Sequence, residues 1–324
     1  MRATGGAPDG TVLALSGGIG GAKLALGLSR VLPPEQLIVV ANTGDDFEHL
    51  GLSVSPDIDT LMYTLADLSD PDKGWGRKDE TWTFMTALAA LGGETWFQLG
   101  DGDLATHVER TRRLAAGETL SRITEDFCRR LAVAARILPM SDDRVRTRVR
   151  CDEGWLDFQD YFVRRRCAPE VKELAYEGAT RARPQPAFLS ALADPRLRTV
   201  VICPSNPYLS VDPILALPGV RDALKARRAP VIAVSPIIGG RAVKGPTGKM
   251  MRELGLPVTA AAVAQHYDGL IDLFVVDQSE GEISLPNMRI VKTAILMSTL
   301  ADREALAKAV LAFADEFRAE AKRP

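Results

Sequence analysis

The sequence predicts an α/β fold: a doubly wound, mostly parallel, Rossmann-like sheet with a smaller inserted cap containing a β-hairpin. Three observations point there. Apolar runs too short for helices alternate with stretches of helical periodicity. A glycine-rich loop joins the first run to the first helical stretch. The runs are followed by unusual loops, in the positions where open α/β sheets bind their ligands.

Thr11 to Leu15 is the first run and Ser16 to Gly21 the loop. Leu24, Leu28 and Val31 then recur at helical spacing until Pro33-Pro34 stops the helix. Leu37 to Ala41 is the second run, so the unit is βαβ with parallel strands and a right-handed crossover. Thr199 to Cys203, Pro230 to Val234 and Leu273 to Val276 read as further buried strands. Val211 to Ala226, Thr247 to Leu254 and Ala260 to Tyr267 read as helices between them. From Thr299 onward Leu306, Val310, Phe313 and Phe317 share one face of an amphipathic helix. Between these halves, Val145 to Cys151 alternates, Glu153-Gly154 signals a turn, and Trp155 to Val163 is aromatic and partly alternating. The expected division is a core of residues 1–140 and 187–324, with residues 141–186 as the inserted hairpin or cap.

Composition narrows the function classes. The chain has 324 residues, is 46% hydrophobic and carries a formal net charge of -2, so it has material for a real core and no nucleic-acid footprint. The Arg164 to Arg166 cluster is expected to be solvated or substrate-facing. Cys128, Cys151, Cys167 and Cys203 form no C-x-x-C pair, which argues against a zinc knot and fits free thiols in a reducing cytoplasm. Neither a signal peptide nor a membrane span is expected, because the Val12 to Leu28 stretch is interrupted by glycines and Lys23.

The loops carry the chemistry. SGGIGGAK precedes a helix, where glycines let backbone N–H groups approach a phosphate. It matches neither standard fingerprint: G-x-G-x-x-G needs glycine where Lys23 stands, and the P-loop fails because Ala22 precedes Lys23. Asp45, Asp46, Asp57 and Asp59 fall within fifteen positions. Ser55-Pro56 resembles an N-cap with proline at the first helical position, followed by the apolar face of Ile58, Leu61, Met62 and Leu65. Helix-dipole complementation accounts for Asp57 there, but not for Asp45-Asp46 at a strand end. Two carboxylates beside a phosphate-binding loop would repel an anion unless a cation intervened, which suggests Mg²⁺. His107 is readable as a substrate contact or as a structural histidine. Lys244 and Lys249 in VKGPTGK are readable as a phosphate clamp or as solvated lysines. No nucleophile signature supports covalent catalysis.

The set SGGIGGAKL, VVANTGDD, SPDIDTLMY, GWGRKDETW, GDGDLATH, ILPMSDDRV, PSNPYLS, DPIL and SPIIGGRAVKGP resembles, in this order along almost the whole chain, the phospholactate transferases of deazaflavin coenzyme F-420 biosynthesis, including their phosphoenolpyruvate-using members. The run from Asn42 to Tyr63 and the PSNP and SPIIGG segments carry the specificity. The resemblance implies an enzyme that takes a phospho-acid group from a guanosine-diphosphate-linked donor. The group passes to the hydroxyl of the deazaflavin alcohol Fo, with release of GMP and a requirement for Mg²⁺. It implies metal and pyrophosphate duty for Asp45 and Asp46, and nucleotide contacts for Gly17, Gly18, Gly20, Ser205, Asn206 and Lys244. Substrate contacts fall to Asn42, Thr43, Asp57, Asp59, Asp103 and His107. Asp59 and Asp45 receive the catalytic roles, Asp59 as acceptor-binding residue and candidate base. The family's GDRD reads GDGD here, with Gly102 in place of a substrate-holding arginine. Either Arg77 or Arg110 replaces it, or substrate is handled differently.

Two other classes compete. A non-enzymatic, nucleotide-sugar-binding regulator of the related gluconeogenesis-factor family would share the architecture and glycine loop, but lack the acids of NTGDD and SPDIDT. A nicotinamide-dependent oxidoreductase would need the unbroken dinucleotide fingerprint. A homodimer is the expected assembly.

Overall fold

The computed structural model describes residues 10–243 and 245–321. Its centre is a seven-stranded sheet in which every neighbouring pair is parallel. From one edge to the other the strands are Arg289–Thr293, Leu273–Asp277, Val231–Val234, Leu197–Ile202, Thr11–Ser16, Leu37–Ala41 and Arg136–Pro139. Counted along the chain from the opposite edge, the order is 3-2-1-4-5-6-7, the doubly wound arrangement. Strand order reverses between Thr11–Ser16 and Leu197–Ile202, so the glycine loop and the PSNP loop leave the sheet side by side at the switch point. A crevice for a ligand follows from the topology alone.

Strands Leu197–Ile202, Val231–Val234 and Leu273–Asp277 are buried throughout, and Thr11–Ser16 at all but its first residue, because both faces are covered. Helices Gly18–Val31 and Leu300–Ala321 pack on one side around Leu24, Leu28, Leu306 and Val310. They approach closely at Gly27, where a Cβ would lie 2.1 Å from the Arg303 carbonyl oxygen. On the other side Phe188, Ile214, Leu224 and Val263 cover the sheet.

Three expectations need correction. Two edge strands, Arg136–Pro139 and Arg289–Thr293, were not anticipated. Edge strands tolerate the charged residues and proline they contain, so neither reads as a buried run. The single helix expected from Val211 to Ala226 is broken. Helix Asp212–Leu215 stops and Val220–Ala226 restarts after Pro218 and Gly219, the latter at φ +75°. Finally, the strand expected to run to Val163 ends at Asp157, and a short π-helical turn occupies Asp160–Arg164.

The inserted region is a three-stranded antiparallel sheet rather than a hairpin alone. Arg146–Cys151 pairs with Gly154–Asp157 on one side and Glu173–Glu177 on the other. Gly154, at φ +104°, makes the turn. The insert packs through Val149, Leu156, Phe158 and Tyr161 onto Leu209 and Met250 of the main body. Among the described residues no helix is long and apolar enough to cross a membrane, and all four cysteines are free thiols.

Candidate active site

A cavity of about 480 Å³ opens over the switch point, within the usual range for small-molecule sites. Its floor is the glycine loop. Ser205 ties that loop to the PSNP loop: its hydroxyl donates to the Gly17 carbonyl at 2.7 Å and accepts from the Gly17 N–H at 3.2 Å. Contact is so close that a Cβ on Gly20 would lie 2.3 Å from the Pro204 carbonyl oxygen, and one on Gly17 2.6 Å from Asp57 Oδ2. Asn206 caps the turn after it by accepting from the Tyr208 and Leu209 N–H groups at 3.0 and 3.1 Å. Gly17, Gly18, Gly20, Ser205 and Asn206 therefore share one cavity wall. Lys244 lies outside the described residues. Lys249 is no phosphate clamp here: it donates to the Pro169 carbonyl and to Glu253, fastening the insert to helix Thr247–Glu253.

Asp57 is not a cap of its own helix, Pro56–Leu65. Its Oδ1 accepts the Gly18 N–H at 2.6 Å, at the start of helix Gly18–Val31, and its Oδ2 accepts from Asn42 Nδ2 at 2.9 Å. Asn42 also holds the next loop, taking the Gly44 N–H on its Oδ1 at 2.8 Å and donating to the Leu209 carbonyl at 3.2 Å. Thr43 is buried behind it. Ser55 does not cap the helix either. Its hydroxyl donates to Asp46 Oδ2 at 2.8 Å, a charge-assisted bond that fixes the side chain on the carboxylate loop.

The loop after Leu37–Ala41 thus presents two carboxylates, Asp45 and Asp46, each 7% exposed. Burial pushes Asp45 well above the usual carboxylate range, and the charges of Asp57 and Asp46 add to it. Burial pushes Asp46 up to about 7, against the opposing effects of Arg146, Ser55 and Arg110. Burial likewise takes Asp57 to about 6, against its hydrogen bonds from Asn42 and Gly18. Oδ1 of Asp45 and Oδ1 of Asp46 are buried with no hydrogen-bond partner among the described residues. Buried carboxylate oxygens left without donors suit a hard divalent cation, which takes oxygen ligands and removes the penalty of ionisation.

These shifts set a pH dependence. Asp46 and Asp57 have folded-state values raised above the ordinary 3.8. The stability their protonated forms contribute is complete below that value and is lost as pH rises through about 6 and about 7. Thermal unfolding of the metal-free protein is expected to move to lower temperature between about pH 5 and about pH 8. Added Mg²⁺ should restore it at the upper pH and do little at the lower, since binding must displace protons. Scanning calorimetry at the two pH values, with and without Mg²⁺, measures this. An equal Mg²⁺ effect at both would count against Asp45 and Asp46 as ligands.

Asp59, Asp103 and His107 form a separate buried cluster outside the cavity lining. Their ligand atoms lie within 4.8 Å of one another, the one group of three with metal-like spacing among the described residues. Arg110 already neutralises it. The guanidinium grips both oxygens of Asp59, with Nη1 3.0 Å from Oδ2, and Nη1 is 3.3 Å from His107 Nδ1. Burial acts to raise Asp103, but hydrogen bonding and charge from His107, Tyr63 and Arg110 outweigh it and hold Asp103 low. The base role for Asp59 therefore meets a physical obstacle: Arg110 occupies both oxygens. Asp59 instead anchors helix Pro56–Leu65 to helix Asp101–Ala115. His107 Nε2 stands 3.3 Å from Asp103 and stays inside this cluster.

The Gly102 question has a geometric answer. A Cβ at that position would lie 3.5 Å from the Arg77 guanidinium carbon, and Arg77 stacks over the Tyr63 ring at 5.6 Å. Arg77, not the buried Arg110, puts a cation beside Gly102. Glu80 accepts the Gly102 and Asp103 N–H groups at 2.6 and 2.8 Å and closes that helix end.

Sequence reasoning missed the aromatic and apolar walls. Trp75, Phe97, Phe158 and Phe162 line the cavity, as do Ile295 and Met297, and Gln159 reaches the Asp45 carbonyl at 3.4 Å. The only signal for Phe158 and Phe162 was an aromatic-rich stretch at the end of a presumed hairpin.

Residues 12–313 match the family model described as 2-phospho-L-lactate transferase CofD. The chain is 41% identical over 318 residues to a phosphoenolpyruvate transferase of Streptomyces griseus, spanning 95% of this chain and 99% of that protein. It is 40% identical over 294 residues to one from Mycobacterium tuberculosis, spanning 83% and 88%. A UPF0052-family crystal structure from Bacillus halodurans superposes with a TM-score of 0.62 at 15% identity, covering 94% of this chain and all of that one, a likeness of fold. The chain belongs to the 2-phospho-L-lactate transferase CofD family of phospho-acid transferases.

Proposed function

We propose that this protein transfers a phospholactyl- or phosphoenolpyruvyl-type group from a guanosine-diphosphate-linked donor to the hydroxyl of the deazaflavin alcohol Fo, releasing GMP, as a step of coenzyme F-420 biosynthesis. The observation that carries the reading is the meeting, at Asp45, of a glycine-loop cavity with buried carboxylate oxygens that lack donors. Phosphoryl transfer asks for positioning and charge neutralisation rather than a covalent partner, and no nucleophilic side chain is needed.

Gly17, Gly18, Gly20, Ser205 and Asn206 form the nucleotide wall. Trp75, Phe97, Phe158 and Phe162 offer flat apolar surface to the deazaflavin ring. Asp45 and Asp46 would hold Mg²⁺, which supplies neutralisation of the donor's phosphate charge when bound. The alcohol oxygen forms a bond to the distal phosphorus, the phosphorus–oxygen bond to GMP breaks, and the alcohol proton goes to a carboxylate. Asp57 is the best placed: it lines the cavity, which Asp59 does not, each of its oxygens takes one neutral donor and keeps a lone pair, and burial brings it up to about 6, near a working pH.

The test is incubation with Fo, Mg²⁺ and guanosine-diphosphate-linked phospholactate or phosphoenolpyruvate, following GMP release and the mass of the product. Product from one donor, lost with EDTA, supports the transferase and names its acid. Tight nucleotide-sugar binding with no turnover on any donor would favour the regulator reading.

A further inference from the structure

A second cavity, of about 450 Å³, lies on the other side of the Asp45-Asp46 loop and shares Asp45, Phe158 and Gln159 with the first. One strand of the insert forms much of its wall. Along that strand, Arg146–Cys151, Thr147, Val149 and Cys151 are buried, as is Val145 just before it. Period-two alternation puts Arg146, Arg148 and Arg150 on the opposite face, and Arg144, just before the strand, lines the cavity with Arg146. The strand is pinned to the carboxylate loop by the Thr147 N–H, which donates to the Gly44 carbonyl at 2.7 Å.

The four arginines are not equivalent. Arg150 pairs with Glu173 at 3.1 Å, and Arg148 with Asp157 and Glu177 at 3.1 and 3.5 Å. At the end nearest the carboxylate loop this pairing stops. Among the described residues Arg146 has no carboxylate within salt-bridge distance, and the hydrogen bond it makes is to the carbonyl of its neighbour Val145 at 2.8 Å. Among the described residues the Arg144 side chain has no hydrogen bond or ion pair. Arg146 is partly buried, and burial pulls its guanidinium down despite the attraction of Asp46. A partly desolvated guanidinium with donors to spare, facing a cavity, lacks an anion that the protein does not provide.

The transferred group of the proposed reaction carries one. Its carboxylate is planar and matches the fork of a guanidinium, while its phosphorus must sit close to Asp45 and Asp46. We propose that Arg144 and Arg146 bind the carboxylate of the transferred phospho-acid, so that the insert, rather than the nucleotide-binding sheet, holds the acid. This rests on the transferase reading above. It also accounts for a cavity shared across Asp45: nucleotide and acceptor on the glycine-loop side, acid on the arginine side.

The experiment compares wild type, Arg146→Met, Arg146→Lys and Arg150→Met in the full chain. Calorimetry gives the affinity for GDP and for the GDP-linked phospho-acid, and turnover gives KM and kcat for that donor. Arg146→Met is expected to weaken the linked donor by about ten-fold or more in both Kd and KM while leaving GDP affinity in place. Arg146→Lys should recover part of the loss, and Arg150→Met should change nothing. Retained GDP binding shows that the variant is folded. A parallel loss of GDP affinity would make this a nucleotide-phosphate site and overturn the proposal. Unchanged affinity for both ligands would overturn it too, leaving the arginines to balance the charge of Asp46. Wild-type protein that binds GDP but neither binds nor turns over any linked acid would fail the transferase reading itself, and this inference with it.

Discussion

Asp45→Asn is expected to cut turnover on the order of 10³-fold or more while raising thermal stability. The two effects have one cause. Asp45 is buried beside Asp57 and Asp46, and its charge is opposed by burial and by both neighbours. A neutral amide of the same shape relieves that penalty, so the folded state gains. Yet the amide is a poor ligand for a hard cation, and the carboxylate is what the donor's phosphate charge needs at this position. GMP release with added Mg²⁺, and thermal unfolding of the metal-free protein, both at about pH 8, test the two halves. A variant that loses activity and stability together would mean that Asp45 has a structural role. A variant that keeps turnover would remove Asp45 from the metal site.

Arg110→Met is expected to cost about 3–5 kcal/mol of stability, because one buried cation is removed and the carboxylates it served are not. Arg110 is 1% exposed and grips Asp59 with two guanidinium nitrogens. Without it, Asp59 and Asp103 are left on either side of His107 with no guanidinium between them. Urea unfolding measures the loss. The double variant Arg110→Met/Asp59→Asn should regain part of it, since the uncompensated charge is then gone. Activity of the single variant should fall as well: Asp57 stands two residues before Asp59 on the same helix, and its grip on the Gly18 N–H depends on where that helix sits.

Much of this architecture was legible in the sequence because parallel strands buried on both faces read as unbroken apolar runs. Thr11–Ser16, Leu37–Ala41 and Leu273–Asp277 are of that kind. The edges were illegible for the converse reason: Arg289–Thr293 is half exposed and mixes Arg and Lys with its apolar residues. At the site, the glycine loop, Asn42, Asp45, Asp46, Asp57, Ser205 and Asn206 could be placed together because each follows a strand end or opens the next helix, and the switch-point rule gathers such positions. Asp59 shows where that reasoning stops. Two residues from Asp57 on one helix, it turns to a different neighbour, and that neighbour, Arg110, is 51 positions away. No periodicity connects them. The insert's contribution was hidden in the same way: Phe158, Gln159 and Arg146 reach the carboxylate loop only once the three-stranded sheet folds back on it.

The most direct test of the transfer chemistry uses Fo labelled with oxygen-18 at its side-chain hydroxyl, one guanosine-diphosphate-linked donor and Mg²⁺, with product and GMP read by mass. Attack of that hydroxyl on the distal phosphorus keeps the label in the bridging position of the phosphorylated deazaflavin, and the GMP released carries none. An unlabelled product would place bond cleavage at carbon instead, and the absence of any product with every donor would contradict the transferase account as a whole.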